Sequence, residues 1–225
     1  IETMYEFESQ HELSAKRKSM KDRFIYGILS NEVADIEKLK EDAETLGWKE
    51  SCIRLPILLF LDEMADMPTV LRKLKESALY SRQDIISVVQ DKNVIIFKSF
   101  KADTNSLCHY KETIAESIAS CKNYLDMAGC SYQYLIGTFQ DRFEKYRVGY
   151  QHCMWMRDRV REQVGFFYEH VNEYMKALVA MVEYRDIYGV YGQLLDEKGK
   201  ENILEVVDSL QRNNYNFNAS SKELY

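Results

Sequence analysis

Four carboxylates in this chain have the residue types and the spacing to do chemistry. Asp62, Glu63 and Asp66 follow the apolar run Ile57–Leu61, and Asp91 falls in the polar turn Gln90-Asp91-Lys92-Asn93 between two further apolar runs. Carboxylates at the end of one strand and in a neighbouring turn form a donor set that holds divalent cations for phosphoryl transfer, because hard oxygen ligands suit such ions. A site of this kind also needs glycine in the turn, so that backbone can approach a nucleotide. The turn contains none, and Gly-Gly-Asp/Glu-Glu-Phe occurs nowhere in the chain. The expectation is therefore a set of solvated loop acids, with no catalytic residue, no bound cofactor and no metal. Asp62, Glu63, Asp66 and Asp91 define the alternative, a degenerate nucleotide or metal site.

Other reactive residues carry weaker patterns. Cys108-His109 and His152-Cys153 are adjacent pairs, whereas zinc sites repeat ligands about two to four residues apart. Cys52, Cys121 and Cys130 have no surrounding nucleophile motif. The five cysteines include no close pair, which fits reduced thiols that pack as small hydrophobes in a cytoplasmic protein. Lys16-Arg17-Lys18 and the alternating Arg157, Arg159 and Arg161 are interspersed with Asp22, Asp158 and Glu162, the pattern of solvated faces rather than phosphate sites. Phe143, Tyr146, Tyr150 and Met154 fall at helical spacing and predict a core or subunit face, as do Tyr184, Tyr188 and Tyr191.

These residues must be positioned by a chain of 225 residues with a net charge of −6, 46% hydrophobic and 29% charged, an ordinary soluble composition. The negative charge argues against a surface that coats nucleic acid. No apolar run approaches the roughly 20 residues that span a bilayer, and the polar N-terminus shows no secretory signal. Residues 2–29 predict a long, mostly polar helix in need of a partner. Val33–Leu46 predicts an amphipathic helix stopped by Gly47. Ile57–Leu61 reads as a strand covered on both faces, with Pro56 at its start because proline cannot donate to a central ladder. A helix over Pro68–Leu79, a hairpin of Asp84–Val89 with Val94–Lys98, a helix over Leu107–Ala128 and a strand over Tyr134–Thr138 follow. A helix over Arg142–Arg161 and a short strand over Val164–Tyr168 come next, then helices to the end. The order strand, helix, strand, strand, helix, strand is satisfied by an open antiparallel sheet with helices on one face, the ferredoxin-like α+β plan. Near the end, Ile203, Val206, Val207 and Leu210 share a helix face, Asn213-Asn214 close it, and Asn218 suits the N-cap of a second helix, the opening of a helix-turn-helix.

Several segments together resemble the CdaR/PucR-type bacterial transcription regulators, the sugar diacid and purine catabolism regulator family. Asp84–Phe97 is similar to the hairpin of that family's GGDEF-like domain. Ile136-Gly137-Thr138 and Tyr146–Cys153 resemble its Gly-led strand and the helix after it, with Gly149 at the usual Ser position and Cys153 near a usual Ala. Leu194–Leu210, Asn214-Tyr215-Asn216 and Ser220–Tyr225 look like the start of the C-terminal DNA-binding module, with Ser220-Ser221 where Thr-Ala is common. The resemblance implies a linker or dimerisation helix over residues 1–31, a degenerate GGDEF-like domain over 32–170, and a helical segment over 171–225 that begins the helix-turn-helix. Within it Asn218, Ser220, Ser221 and Lys222 open the DNA-binding module. It further implies a non-enzymatic cytoplasmic homodimer. An upstream domain would bind a small effector, sugar diacids among them, and DNA would be read beyond residue 225, with no membrane contact.

Overall fold

The computed structural model describes residues 20–30, 36–62, 64–89, 93–103, 107–181, 197–213 and 216–224. Residues 2–19 of the helix predicted over 2–29, with the Lys16-Arg17-Lys18 cluster, the acids Glu63 and Asp91, and Tyr184, Tyr188 and Tyr191 lie outside the described residues. The chain divides into two compact units, Ile1–Phe167 and Tyr168–Tyr225.

The first unit is α+β and is built on a five-stranded mixed sheet. Its elements are α1 (20–29), α2 (Ile36–Leu46), β1 (Ile53–Leu61), α3 (Met67–Glu76), β2 (Ile85–Val89), β3 (Asn93–Phe100), α4 (Tyr110–Ala128), β4 (Tyr132–Ile136), α5 (Tyr146–Arg157) and β5 (Val164–Phe166). The spatial order is β2-β3-β1-β4-β5. The first four strands are antiparallel to their neighbours, and β5 adds in parallel to β4 through Tyr134↔Val164 to Ile136↔Phe166. Gly47 and Gly129, at φ of 80° and 67°, stop α2 and α4 in the left-handed conformation that a Cβ disfavours.

Side chains alternate across each strand, so the sheet carries two cores. On one face Leu55, Ile57, Leu59, Val94 and Ile96 pack under α3 and α4 through Val70, Leu74, Ile114, Ile118 and Leu125. The opposite face is covered as well, which departs from the expectation of helices on one side. Leu58, Ile95, Phe97 and Leu135 are buried there. Phe97 stacks on Tyr146 of α5, ring centroids 4.8 Å apart. Phe24 of α1 meets Phe143 and Trp48, each at 5.1 Å. The reason is visible in the strands: Ile57–Leu61 and Val94–Phe97 have no polar alternation, so a bare face would expose a large apolar patch. Full burial of each such side chain is worth about 1.5–3 kcal/mol. The bidentate pair of Arg23 with Asp42, whose Nε–Oδ2 arm is 2.7 Å, ties α1 to α2.

Pro56 corrects a second expectation. It lies inside the central strand, opposite Phe97, rather than at its start. The β1–β4 ladder explains how it is tolerated. Ile57 pairs with Ile136, but the next bridge joins Arg54 to Gln140. Three steps along β1 thus face four along the other chain, the signature of a bulge. Pro56 sits in that slip, where its missing N–H breaks no ladder bond, and its carbonyl accepts from Gly137 N at 2.8 Å.

Buried tyrosines make the fold sensitive to alkali. Burial pushes the Tyr146 phenol up to about 12 and those of Tyr132 and Tyr134 higher still; Tyr132 also donates to Asp126 at 2.6 Å. In the unfolded chain these phenols ionise near 10. A raised folded-state value contributes stability that is complete below the unfolded value and is lost as pH rises through the folded one. Stability should therefore fall steeply above about pH 10. Phenolate absorbance and far-ultraviolet circular dichroism should then show a buried tyrosine class that titrates only as the fold is lost. Smooth titration of all tyrosines near pH 10 with the fold intact would contradict this.

In the second unit, α6 (Val171–Met181) is followed by α7 (Glu197–Arg212) and α8 (Phe217–Leu224), and the last two pack on each other. Among the described residues, no helix is long and apolar enough to cross a membrane.

Candidate functional site

The chain leaves β1 at Leu61, and Asp62 is the first residue beyond it. Both oxygens of its carboxylate accept from backbone. Oδ2 accepts from Ser131 N at 2.6 Å and Oδ1 from Met64 N at 3.0 Å, while Asp62 N donates to Ser131 O at 3.1 Å. Asp62 thereby staples the end of β1 to the start of β4. Asp66 does something different. Its side chain accepts from Thr69 N at 3.2 Å as the N-cap of α3, one residue before Met67-Pro68, where proline suits the first turn. Two of the four candidate acids are thus anchors of loop and helix, and Glu63 and Asp91 lie outside the described residues. Among the described residues, no group of three or more His, Cys, Asp or Glu side chains is placed to hold a metal ion. The cysteines form no disulfide, and Cys121, Cys130 and Cys153 are buried. Burial pushes the Cys153 thiol up, the opposite of an activated nucleophile. Asp66→Ala should cost about 1 kcal/mol, the usual loss of an N-cap, measured as a lower urea midpoint with unchanged slope. An unchanged midpoint would show that the cap contributes nothing.

Sequence reasoning misses two polar centres of this unit. Arg54 projects from β1 onto the α5 face and is fully buried. Its guanidinium donates from Nε to Gln83 O at 2.9 Å, and from Nη1 to Lys49 O at 2.9 Å and to the Tyr146 hydroxyl at 2.6 Å. A longer bond, 3.3 Å, runs from Nη2 to Gln83 Oε1. The ring of Phe143 lies 5.6 Å from its carbon. All these partners are neutral, so Arg54 acts as a hydrogen-bond hub joining the α2–β1 turn, the loop before β2 and α5. The second centre is the buried pair Lys98–Asp84, 2.7 Å apart. Asp84 also accepts from Ser99 N and Oγ and from Ser81 N, which satisfies both carboxylate oxygens. Nothing local marks either residue: Lys98 ends the predicted strand Val94–Lys98, and Arg54 precedes the predicted start of the central strand at Pro56.

The predicted aromatic stripe begins in the 3-10 turn Phe143–Lys145, runs into α5, and divides. Phe143 and Tyr146 are core, whereas Tyr150 is half-buried. Arg157 lies over the Phe60 ring and Arg159 over Trp155, each at 4.8 Å.

In the second unit the structure moves the helix start. Asn216, not Asn218, caps α8: its Oδ1 accepts from Ala219 N at 3.2 Å, and Asn218 is an exposed residue of the first turn. Two asparagines flank Phe217, and the aromatic residue opens the helix rather than preceding its cap. Ser220 is buried and donates to Ser209 O at 3.2 Å, so two small residues let α7 and α8 approach closely. Ser221 and Lys222 are exposed. Glu223, which sequence reasoning overlooks, closes the helix pair. It accepts from Ser209 Oγ and from Asn213 Nδ2, both at 2.6 Å, and pairs with Arg212 at 2.9 Å. The Ser209 and Asn213 hydrogen bonds and the Arg212 charge hold its carboxyl below the usual range.

Compared with known proteins, the chain matches no family model and no curated protein.

Proposed function

We propose that this chain is the central, non-catalytic part of a cytoplasmic bacterial transcription regulator of the CdaR/PucR type. In this reading the first unit is a degenerate GGDEF-like, ferredoxin-like domain. It passes the state of an upstream effector-binding domain, for sugar diacids or another small metabolite, to a DNA-reading module that α7 and α8 open. The homodimer is the working form. The observation that carries the reading is the state of Asp62: both carboxylate oxygens are bonded to backbone N–H groups of Ser131 and Met64. The antiparallel β2-β3-β1-β4 order, with α3 and α4 as crossovers on one face, is the plan expected for such a domain. The closely packed α7–α8 pair is compatible with the first two helices of a helix-turn-helix.

The competing reading, a nucleotide-binding or nucleotide-cyclising enzyme, needs Asp62 to take a divalent cation on the lone pairs its backbone bonds leave over. Titrating the chain with GTP and ATP in magnesium or manganese, with product analysis, separates the two. No turnover and no cation-dependent nucleotide binding are expected. Turnover abolished by Asp62→Ala would overturn the proposal. Its positive arm is a mobility shift of operator DNA by the full-length regulator, lost when residues 197–224 are deleted.

A further inference from the structure

A cavity of about 510 Å³ opens between α1 and the β2 edge of the sheet, with α5 closing its far side. That volume falls within the range of about 300–1,000 Å³ that holds small organic ligands. Ile25 and Leu29 of α1 and Val88 of β2 give it apolar walls, and Tyr26 and Tyr150 supply two aromatic rings. Among the described residues that line it, Asp22 is the one carboxylate and none is a lysine, arginine or histidine. Among the described residues, Asp22 takes part in no side-chain hydrogen bond or ion pair. Lys21 feels the Asp22 charge but stays outside the lining. Among the described residues, Arg23 is paired with Asp42, and Arg157 stays outside the lining, over the Phe60 ring, although its charge is felt by Tyr150.

This lining selects by charge. An anion, whether a carboxylate or a phosphate, would meet a like charge at the cavity mouth and no cation among the described lining residues. A small organic cation with an apolar body finds the reverse. Asp22 offers an opposite charge, the tyrosine rings offer their negative faces, and the aliphatic wall takes the body of the molecule. We infer that the α1–β2 cavity is a binding site for a small aryl- or alkyl-ammonium compound, held by Asp22 and by Tyr26 and Tyr150. The inference does not rest on the regulator reading, because the site lies wholly in the first unit and its test involves neither DNA nor nucleotide. The same lining disfavours sugar diacids at this position, so a diacid effector would have to act on another domain.

The test uses the chain as it stands with three probes that share one aromatic body: benzyltrimethylammonium, benzyl alcohol and benzoate. Binding is followed by perturbation of backbone amide resonances. The cation should bind with a dissociation constant on the order of 1 mM, about tenfold or more below that of the alcohol, and should perturb α1, β2 and Tyr150 together. Benzoate should not bind. Asp22→Asn, at an exposed position, should weaken the cation about tenfold. Val88→Lys, on the exposed edge of β2, should abolish binding by placing a cation at the cavity wall. Equal affinity for alcohol and cation, binding of benzoate, unchanged cation binding in both variants, or no binding by the cation would each overturn the assignment.

Discussion

Gly137→Ala is expected to destabilise the first unit by about 3 kcal/mol or more, at the upper end of the range for overpacking. A Cβ at Gly137 would fall 2.4 Å from the Gly149 carbonyl oxygen and 3.1 Å from the Cys153 sulfur. The obstacle is the backbone of α5, which cannot turn aside as a side chain can. Gly149 is the reciprocal case, with its Cβ directed at 2.4 Å onto the Pro56 ring. Together these two glycines set how closely α5 lies on the bulged centre of the sheet. Gly27 provides the control. A Cβ there meets the Leu39 Cδ2 at 2.7 Å, but that atom is the end of a flexible side chain, and alanine also favours the helix over glycine by about 1 kcal/mol. Urea unfolding should show a large loss for Gly137→Ala and a small net change for Gly27→Ala. Equal effects would mean that the α5 backbone yields as easily as a leucine methyl.

The second large effect belongs to Arg54. Arg54→Met keeps much of the apolar stem but leaves the carbonyls of Gln83 and Lys49 and the Tyr146 hydroxyl without their donor in a buried setting. Stranding several polar groups at once should cost about 3–5 kcal/mol, since each unsatisfied group costs about 1–3 kcal/mol and water can enter to meet part of the demand. Tyr146→Phe removes one acceptor from the hub and should cost only about 1 kcal/mol. The comparison is made by chemical denaturation of both variants. If Arg54→Met lost no more than Tyr146→Phe, the guanidinium would not be the organiser of this junction.

How much of the fold is legible in the sequence depends on whether the signal is local. The α4 helix, its stop at Gly129 and the β2–β3 hairpin follow from periodicity and turn chemistry within a few residues. The central strand is placed by its apolar run, but its length is not. Arg54 looks too polar for the interior and Pro56 too disruptive, and both are accommodated by partners far along the chain, Tyr146 and Gly137. The second core is half visible: an unalternating strand implies cover on both faces, yet only folding identifies α1 and α5 as the cover. The roles of Asp62 and Asp66 are beyond sequence reading for the same reason. A carboxylate after a strand looks alike whether it meets water, a cation or an amide, and the Asp62–Ser131 bond spans 69 residues. At the C-terminus the helix pair is legible, while its cap lies two residues before the expected one because Asn216 and Asn218 are equally good caps on local grounds.

The place of β1 at the middle of the sheet has a bearing on how the polypeptide is made. Its nine residues pair with β3 and β4, which lie later in the chain and end at Phe100 and Ile136, and Arg54 bridges to Gln140 just past β4. At about 5–20 residues per second, the ribosome needs roughly 4 to 15 s after completing β1 to release the last residue of β4. Throughout that interval the run Ile57–Leu61 emerges with no finished sheet to receive it. The nascent chain thus presents its stickiest segment early, and holding chaperones have a defined window in which to shield it.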